Sequence, residues 1–369
     1  MLGRFCEVFL DWENRVATRV FITGICGFVG NTLAKLAVDH DLDWEITGID
    51  NLARPGSDLN RRDLMSRGIN VVHGDLRNSS DLDCIGDIDW VIDAAAKPSV
   101  LAGVDGQTSS RQLVEHNLIG TLNVLELCKR SQAGLVLLSS SRVYSIHPLA
   151  KLSIEIRDGA YFPKMPFPEG MTETGISESF STTPPVSLYG STKCASEQIA
   201  LEYAATFGFP CLVNRCGILA GAGQFGRPDQ GIIAFWIHSH QARRSLHYTG
   251  FDALGHQVRD CLHPRDLLAL ITRQMQSDLR GMPLITNVSG GVESAISLQQ
   301  LTAWCDKRFG IHPVASQHTN RPFDLPWVVL DNTLAKATWG WRPETTKEAI
   351  FAEIADYAEQ NPAWLDISS

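Results

Sequence analysis

The sequence contains no apolar run approaching the roughly 20 residues that a membrane-spanning helix requires, so nothing in it reads as a membrane span. Nor does it carry an excess of positive charge. Its 32 Lys and Arg face 41 Asp and Glu, a net charge of −9, whereas a nucleic-acid binder needs clustered cations. No two of its nine cysteines form a CxxC pair. Odd in number and scattered, they fit reduced thiols in a cytoplasmic protein and argue against a disulfide framework or a zinc site. The nearest thing to a metal signature is "HSH", but His238 and His240 have no matched Cys or carboxylate partner and read as surface or core histidines. Internal repeats and low-complexity tracts are absent too. At the N-terminus, Glu7, Asp11 and Glu13 fall where a signal peptide would keep its apolar core, and residues 1–17 read as an extension ahead of the first strand.

With 44% hydrophobic residues over 369 positions, the chain can bury a substantial core as one large domain or two smaller ones. Its first 200 residues alternate β-rich runs with helical stretches. "RVFITG", "WEITGID", "INVVHGD", "DWVIDAAA" and "GLVLLSSS" read as strands, and "GNTLAKLAVDH" as a helix. "RQLVEHNLIGTLNVLELCKR" reads as another helix, with Leu113, Asn117, Gly120, Val124 and Cys128 at helical spacing. This is the pattern of an α/β protein with a parallel sheet covered on both faces. Residues 145–186 are too rich in Pro and Gly for a core element, and a connection of that length is usually functional or mobile. A helix follows in "LYGSTKCASEQIALEYAATFG", ending at Gly208, and a strand in "CLVNRCGIL". Beyond 217 the alternation weakens, as expected of a smaller domain that covers a substrate.

"FITGICGFVGNTLA" places Gly24, Gly27 and Gly30 between the first strand and the first helix. Glycines suit a tight turn that a pyrophosphate must approach closely, with its charge held by free N–H groups and the positive end of the helix. Asp50, 20 residues after Gly30 at the end of the next strand, can accept hydrogen bonds from an adenosine ribose and would repel a 2′-phosphate, which favours NAD over NADP. Asp75 in "HGDLR" is either a contact to the adenine or a helix N-cap. Lys97 in "AAAKPSV" either lies near the cofactor or faces water.

Tyr189 and Lys193 in "YGSTK" are four apart at the start of a helix and share a face. A free phenol, with a pKa of about 10, is a poor base at neutral pH, and an ammonium beside it favours the phenolate. In an arbitrary helix that spacing is a common accident. After the glycine turn and Asp50 it describes an acid/base device beside a nicotinamide. Three serines, Ser139, Ser140 and Ser141, end the run "GLVLLSSS", and no acid follows them; the next residue is Arg142.

In this order "TGICGFVG", Asp50, "HGDLR", "SSSRVY" and "YGSTK" resemble the extended short-chain dehydrogenases/reductases, the nucleotide-sugar epimerase/dehydratase family, over nearly the whole chain beyond the extension. The resemblance implies a Rossmann-type doubly wound sheet holding NAD over residues 18–216. It implies a smaller, mainly substrate-binding part over 217–369, with part of 255–285 returning to the first. Tyr189 would be the base, Lys193 would hold Tyr189 and the nicotinamide ribose, and the catalytic Ser/Thr, three positions before the valine of "VY", would be Ser140. Around NAD the resemblance places Gly24, Gly27, Phe28, Val29, Gly30, Asp50, Asn51, Asp75, Leu76, Ala94, Ala95, Ala96, Lys97, Asn117, Ser139 and Cys216, with Tyr189 and Lys193. It also implies a nucleoside-diphosphate sugar as the partner, no metal, and a cytoplasmic homo-oligomer, either dimer or tetramer.

The family's 4,6-dehydratases place Asp-Glu directly after that Ser/Thr, because elimination of water needs an extra acid and base, and its decarboxylases keep a glutamate nearby. Ser141 and Arg142 stand there in this chain, which implies redox chemistry alone, that of an epimerase. "NLARPG", "NRCGILAGAGQFGRPDQGI" and "GHQVRDCLHPRDLLAL" resemble the CDP-paratose 2-epimerase branch. That resemblance implies Arg259 on the diphosphate, and Gln224, Asp229 and Gln230, with Ser140 and Arg142, near the sugar or nucleotide. A surface salt bridge for Arg259 and a structural loop for the glutamines are the alternatives. "VYS" in place of "VYG", Asp93 where a histidine is common and Ile218 where Asn or Ser is usual depart from the family pattern. The expected reaction inverts one carbon by transient oxidation and re-reduction, at C2 of a CDP-sugar such as CDP-paratose or, alternatively, at C4 of a UDP-sugar. A net dehydrogenase or reductase, and a non-catalytic NAD-binding protein, are the rival readings; the presence of both Tyr189 and Lys193 speaks against the last.

Overall fold

The computed structural model describes residues 17–104, 106–319 and 321–368, so the expected extension over 1–17 lies, Ala17 apart, outside the described residues. One sheet contains β1 (Thr18–Thr23), β2 (Trp44–Asp50), β3 (Asn70–His73), β4 (Trp90–Asp93), β5 (Gly134–Ser140), β6 (Cys211–Cys216) and β7 (Ile285–Val288). Its order is β3-β2-β1-β4-β5-β6-β7, with every neighbouring pair parallel. Successive residues of each strand serve opposite faces. Val20, Ile22, Val136 and Leu138 pack against Leu33, Ala34 and Ala37 of α1 (Phe28–Asp39), and against Leu267, Leu270 and Ile271 of the helix Pro264–Met275. Phe21, Leu135 and Leu137 face the other way, toward Val124, Leu125 and Cys128 of the helix Gly120–Ser131 and toward Ala200 and Ala204 of α2 (Ser187–Phe207). Because both faces are covered, the strands read as unbroken apolar runs.

Three segments differ from the sequence expectation. "CLVNRCGIL" is not one strand: Gly217 donates its N–H to Val288 O at 2.9 Å, and the chain then leaves the large sheet. Ile218–Leu219 pairs instead with Val258–Leu262, which also pairs with Ala295–Ser297 and Trp327–Val328 in a small mixed sheet. The helix expected over 111–130 is split by a wide π-type turn, Glu115–Ile119, a form that recurs at functional sites. Residues 145–186 do contribute to a core. They fold into two hairpins, Ile154–Arg157 with Ala160–Pro163 and Met171–Thr172 with Gly175–Ile176. Leu149, Leu152, Ala160, Met171, Ile176 and Phe180 are buried there against Leu325, Trp327 and Val329.

Helices Ile232–Gln241, Leu298–Phe309 and Lys347–Gln360 close the C-terminal part around Trp236, Ile237, Leu301, Phe351 and Ile354. His238 and His240 are both buried in it: His238 lies edge-on to Tyr357, and His240 Nε2 is 3.0 Å from Asp306. Among the described residues no helix is long and apolar enough to cross a membrane.

Candidate active site

The strand order reverses between β1 and β4, and the carboxyl ends of the strands on either side open into one cleft of about 780 Å³. That is the topological switch point at which open α/β sheets bind ligands. Among the described residues seven Lys or Arg side chains line it against four Asp, a positive cleft on a chain of net charge −9. Such a balance suits a ligand with several negative charges.

At one end lies the glycine turn. Gly24 has φ +62°, and a Cβ on it would sit 2.9 Å from the Ala95 Cα, so the turn excludes any side chain there. No side chain caps α1, whose N-cap is Gly27, which leaves its first N–H groups and its positive dipole end for a phosphate. Asp50 ends β2 and accepts from Cys26 N at 3.0 Å and Leu52 N at 2.8 Å. Burial pushes its carboxyl above the usual range, and the backbone donors oppose the shift. Asp75 caps no helix. It takes a 2.7 Å ion pair from Arg77 and a 3.1 Å bond from Asn51, and the Arg77 bond holds it well below the usual range. Gly27, Phe28, Val29, Gly30, Leu76, Ala94, Ala95, Ala96, Lys97 and Cys216 line the same cleft. Asp93, in the usual place of a histidine, is buried behind it and accepts from Thr23 at 2.6 Å and Thr121 at 3.1 Å; Thr23 in turn accepts from Ala94 N and Ala95 N. Asn117 does not line the cleft. From the wide turn it ties Lys97 N, at 2.8 Å, to Thr192 of α2, at 3.1 Å.

The turn that a Cβ would fill, the uncapped α1 and the carboxylate ending β2 fit NAD, and Asp50 stands where the sequence reading expects the ribose hydroxyls. Asp50→Ala is expected to weaken NAD binding by one or two charge-assisted hydrogen bonds, about 1.5–3 kcal/mol each, read by titration calorimetry. Preferential binding of NADP by the wild-type chain would contradict that role.

The middle of the cleft is where β5 ends against α2. Gly190 allows the approach: a Cβ there would stand 2.3 Å from Arg142 O, a distance no side chain can occupy. Tyr189 is thereby set beside the end of β5, buried against Val100, Ala102 and Leu113 and open to the cleft. One turn on, Lys193, 3% exposed, donates to Leu138 O at 2.9 Å. Ser140 lines the cleft and its hydroxyl accepts from Arg142 N at 3.2 Å. Ser139 also borders it, but its hydroxyl donates to Glu197, which is paired with Arg215 at 2.7 Å, with side chains 4% and 7% exposed. Arg215 reaches Tyr144, which donates to Asn287 at 2.6 Å. A buried pair of this kind anchors the strand end only while complete, since removing one partner strands the other charge.

At the far end Arg142, Arg259 and Arg321 face the cleft around Asp324. Arg259 is 3.8 Å from Asp324, with side chains 17% and 10% exposed, so this is no surface salt bridge. Burial, with Arg142 and Arg321 adding to it, pulls the Arg259 guanidinium down to about 9, which leaves it charged at neutral pH. Gln224 lines the cleft while bonding Leu219 O at 2.7 Å, and Asp229 and Gln230 lie on the rim. Gln230 accepts from Arg54, whose guanidinium stacks 5.0 Å from the Phe225 ring and so ties the loop after β2 to the substrate side. Sequence reasoning missed Arg321 and Asp324, and Arg227 lay inside "QFGRPDQGI" without being singled out. Arg54 lay inside "NLARPG" without being singled out.

A family model described as the NAD dependent epimerase/dehydratase family matches residues 20–288. The chain is 28% identical over 293 residues to the CDP-paratose 2-epimerase of Salmonella typhi, covering 77% of this chain and 82% of that one. It is 30% identical over 260 residues to UDP-glucuronate 4-epimerase 1 of Arabidopsis thaliana, covering 65% of this chain and about half, 53%, of that relative. Its fold superposes on the UDP-glucuronic acid 4-epimerase of Bacillus cereus with a TM-score of 0.74 at 21% identity, over 93% of this chain and 99% of that one. A doubly wound sheet with its glycine turn at the switch point and a match across most of the chain agree: this chain belongs to the NAD-dependent epimerase/dehydratase family, as an enzyme that uses NAD.

Proposed function

We propose that the chain inverts one carbon of a nucleoside-diphosphate sugar by oxidising it and reducing it again in one cleft, with no net redox change. The observation that carries this reading is Tyr189 and Ser140 on one wall, Lys193 a turn behind, and an arginine rather than an acid next in the chain. NAD, when bound, supplies the acceptor and donor of hydride. Tyr189 takes the proton of the sugar hydroxyl and gives it back, and the Lys193 ammonium favours the phenolate. Ser140 donates to the same oxygen as its charge changes. Residues 18–216 hold the cofactor, and 217–369 mainly hold the substrate, with Arg259 on the diphosphate, where a guanidinium fork suits two oxygens. C2 and a cytidine nucleotide are the first choice, supported by the segments shared with the CDP-paratose 2-epimerase branch. C4 of a UDP-sugar is the second, supported by the UDP-glucuronate 4-epimerases among the relatives.

The test is incubation of the purified protein with CDP-, UDP- and GDP-sugars and NMR of the products, with mass spectrometry of the denatured protein's supernatant for NAD(H). An inverted sugar is expected; a ketosugar released in step with reduced cofactor would mark a net dehydrogenase instead. Ser140→Ala is expected to slow turnover roughly 10²- to 10³-fold, the scale of one lost oxyanion-type donor. Ser141→Ala should leave turnover nearly unchanged. The opposite order of effects would move the catalytic hydroxyl to Ser141.

A further inference from the structure

The cleft has more positive charge at its sugar end than a diphosphate on Arg259 accounts for. Among the described residues Asp324 is the one carboxylate between the three guanidiniums, and it is already engaged: Gln257 donates to it at 2.9 Å, Leu325 N at 3.0 Å, and Arg259 stands 3.8 Å away. Among the described residues no acceptor takes a hydrogen bond from the guanidinium of Arg142 or of Arg321. Arg142 also differs from the other two in position. It follows Ser140 by two residues, its backbone N–H is bonded to the Ser140 hydroxyl, and its carbonyl lies against Gly190, the residue after Tyr189. Arg321, Asp324, Tyr189 and Arg259 are charged or titratable groups that act on it. Burial pulls its guanidinium down to about 10, which leaves it charged at neutral pH, half-buried in the cleft wall. A half-buried guanidinium facing the cleft with no protein acceptor is free to meet an anion on the ligand.

We propose that Arg142 binds an anionic group on the sugar itself, so that the substrate is a nucleoside-diphosphate sugar bearing a carboxylate, of the hexuronic acid class. This rests on the nucleotide-sugar reading above and departs from the neutral sugar of the paratose relative. Arg142 presents a planar fork to a planar carboxylate, a bidentate match. Arg321 adds long-range attraction from the side.

The experiment is calorimetric titration of the NAD-loaded enzyme with UDP-glucose and UDP-glucuronate, which differ only in a hydroxymethyl against a carboxylate, with UDP and CDP as parents. The wild-type chain is expected to bind the uronate about tenfold tighter or more. Arg142→Gln should bring that ratio to about one while UDP and CDP binding stays within about twofold, and Arg142→Lys should keep part of the preference. Equal affinity of the wild type for both sugars, including binding of neither, overturns the proposal. So does a loss on Arg142→Gln that UDP alone shares, since Arg142 would then belong to the diphosphate site. A shifted pH profile with the ratio intact overturns it as well, since the charge would then serve Tyr189. Failure of the epimerase reading looks different: the binding ratio persists, but no nucleotide sugar is inverted.

Discussion

Tyr189→Phe is expected to lower turnover roughly 10²- to 10⁴-fold, the usual yield of one positioned acid/base group, while NAD and nucleotide sugar still bind. The substitution removes one oxygen and keeps the ring. Val100, Ala102 and Leu113 retain their contacts, and α2 keeps its close approach through Gly190. Among the described residues no other titratable side chain takes the phenol's place at that spot. Lys193 is committed to Leu138 O, and the Ser139 hydroxyl to Glu197. Turnover should therefore fall without a matching change in melting temperature or in KM. A loss of nucleotide-sugar affinity as large as the loss of kcat would make Tyr189 a binding residue instead and remove the proposed base.

The cofactor end and the proton-transfer pair were legible because their logic is local. A turn that cannot hold a Cβ, a carboxylate at the end of the next strand, and two side chains four apart on a helix are each written within a few consecutive residues. The substrate end is assembled from residues far apart in the chain. Arg142, Arg259 and Arg321 come from the end of β5, from a strand of the small sheet and from the loop before Trp327–Val328, and nothing in "NRPFD" marks Arg321 as their neighbour. The 145–186 segment misled for a different reason. Its Pro and Gly residues serve hairpin turns, and its buried residues are too widely spaced to show a period, although they pack together once folded. The break at Gly217 was hidden because Cys216 and Ile218 are both apolar, and only the change of hydrogen-bond partner separates the two strands.

A substrate deuterated at the inverted carbon is expected to give a product that keeps its deuterium at that same carbon, and unlabelled substrate turned over in D₂O should take up none there. The reason lies in where the acids of the cleft stand. Of the four among the described residues that line it, Asp50 is bonded to the loops after β1 and β2 and Asp75 to the loop after β3, Asp324 is held by Gln257 and Leu325 N, and Asp229 stands near Arg54. None follows Ser140, where Ser141 and Arg142 stand. The protonated Arg142 guanidinium cannot, under the proposed mechanism, serve as the base that removes a carbon-bound proton, as elimination requires. Under the proposed mechanism the hydrogen that leaves the carbon never meets water, and the same hydrogen comes back to the opposite face of the ring. Inversion by deprotonation next to a carbonyl would instead exchange that hydrogen with solvent in each cycle, so the two routes differ by nearly full retention against nearly full wash-in, read by mass spectrometry and proton NMR of the product. Solvent deuterium at the inverted centre, or a 4-keto-6-deoxy product, would mean that the chain has an acid and base this cleft does not place beside Ser140, and the oxidation and re-reduction at one carbon would have to be abandoned.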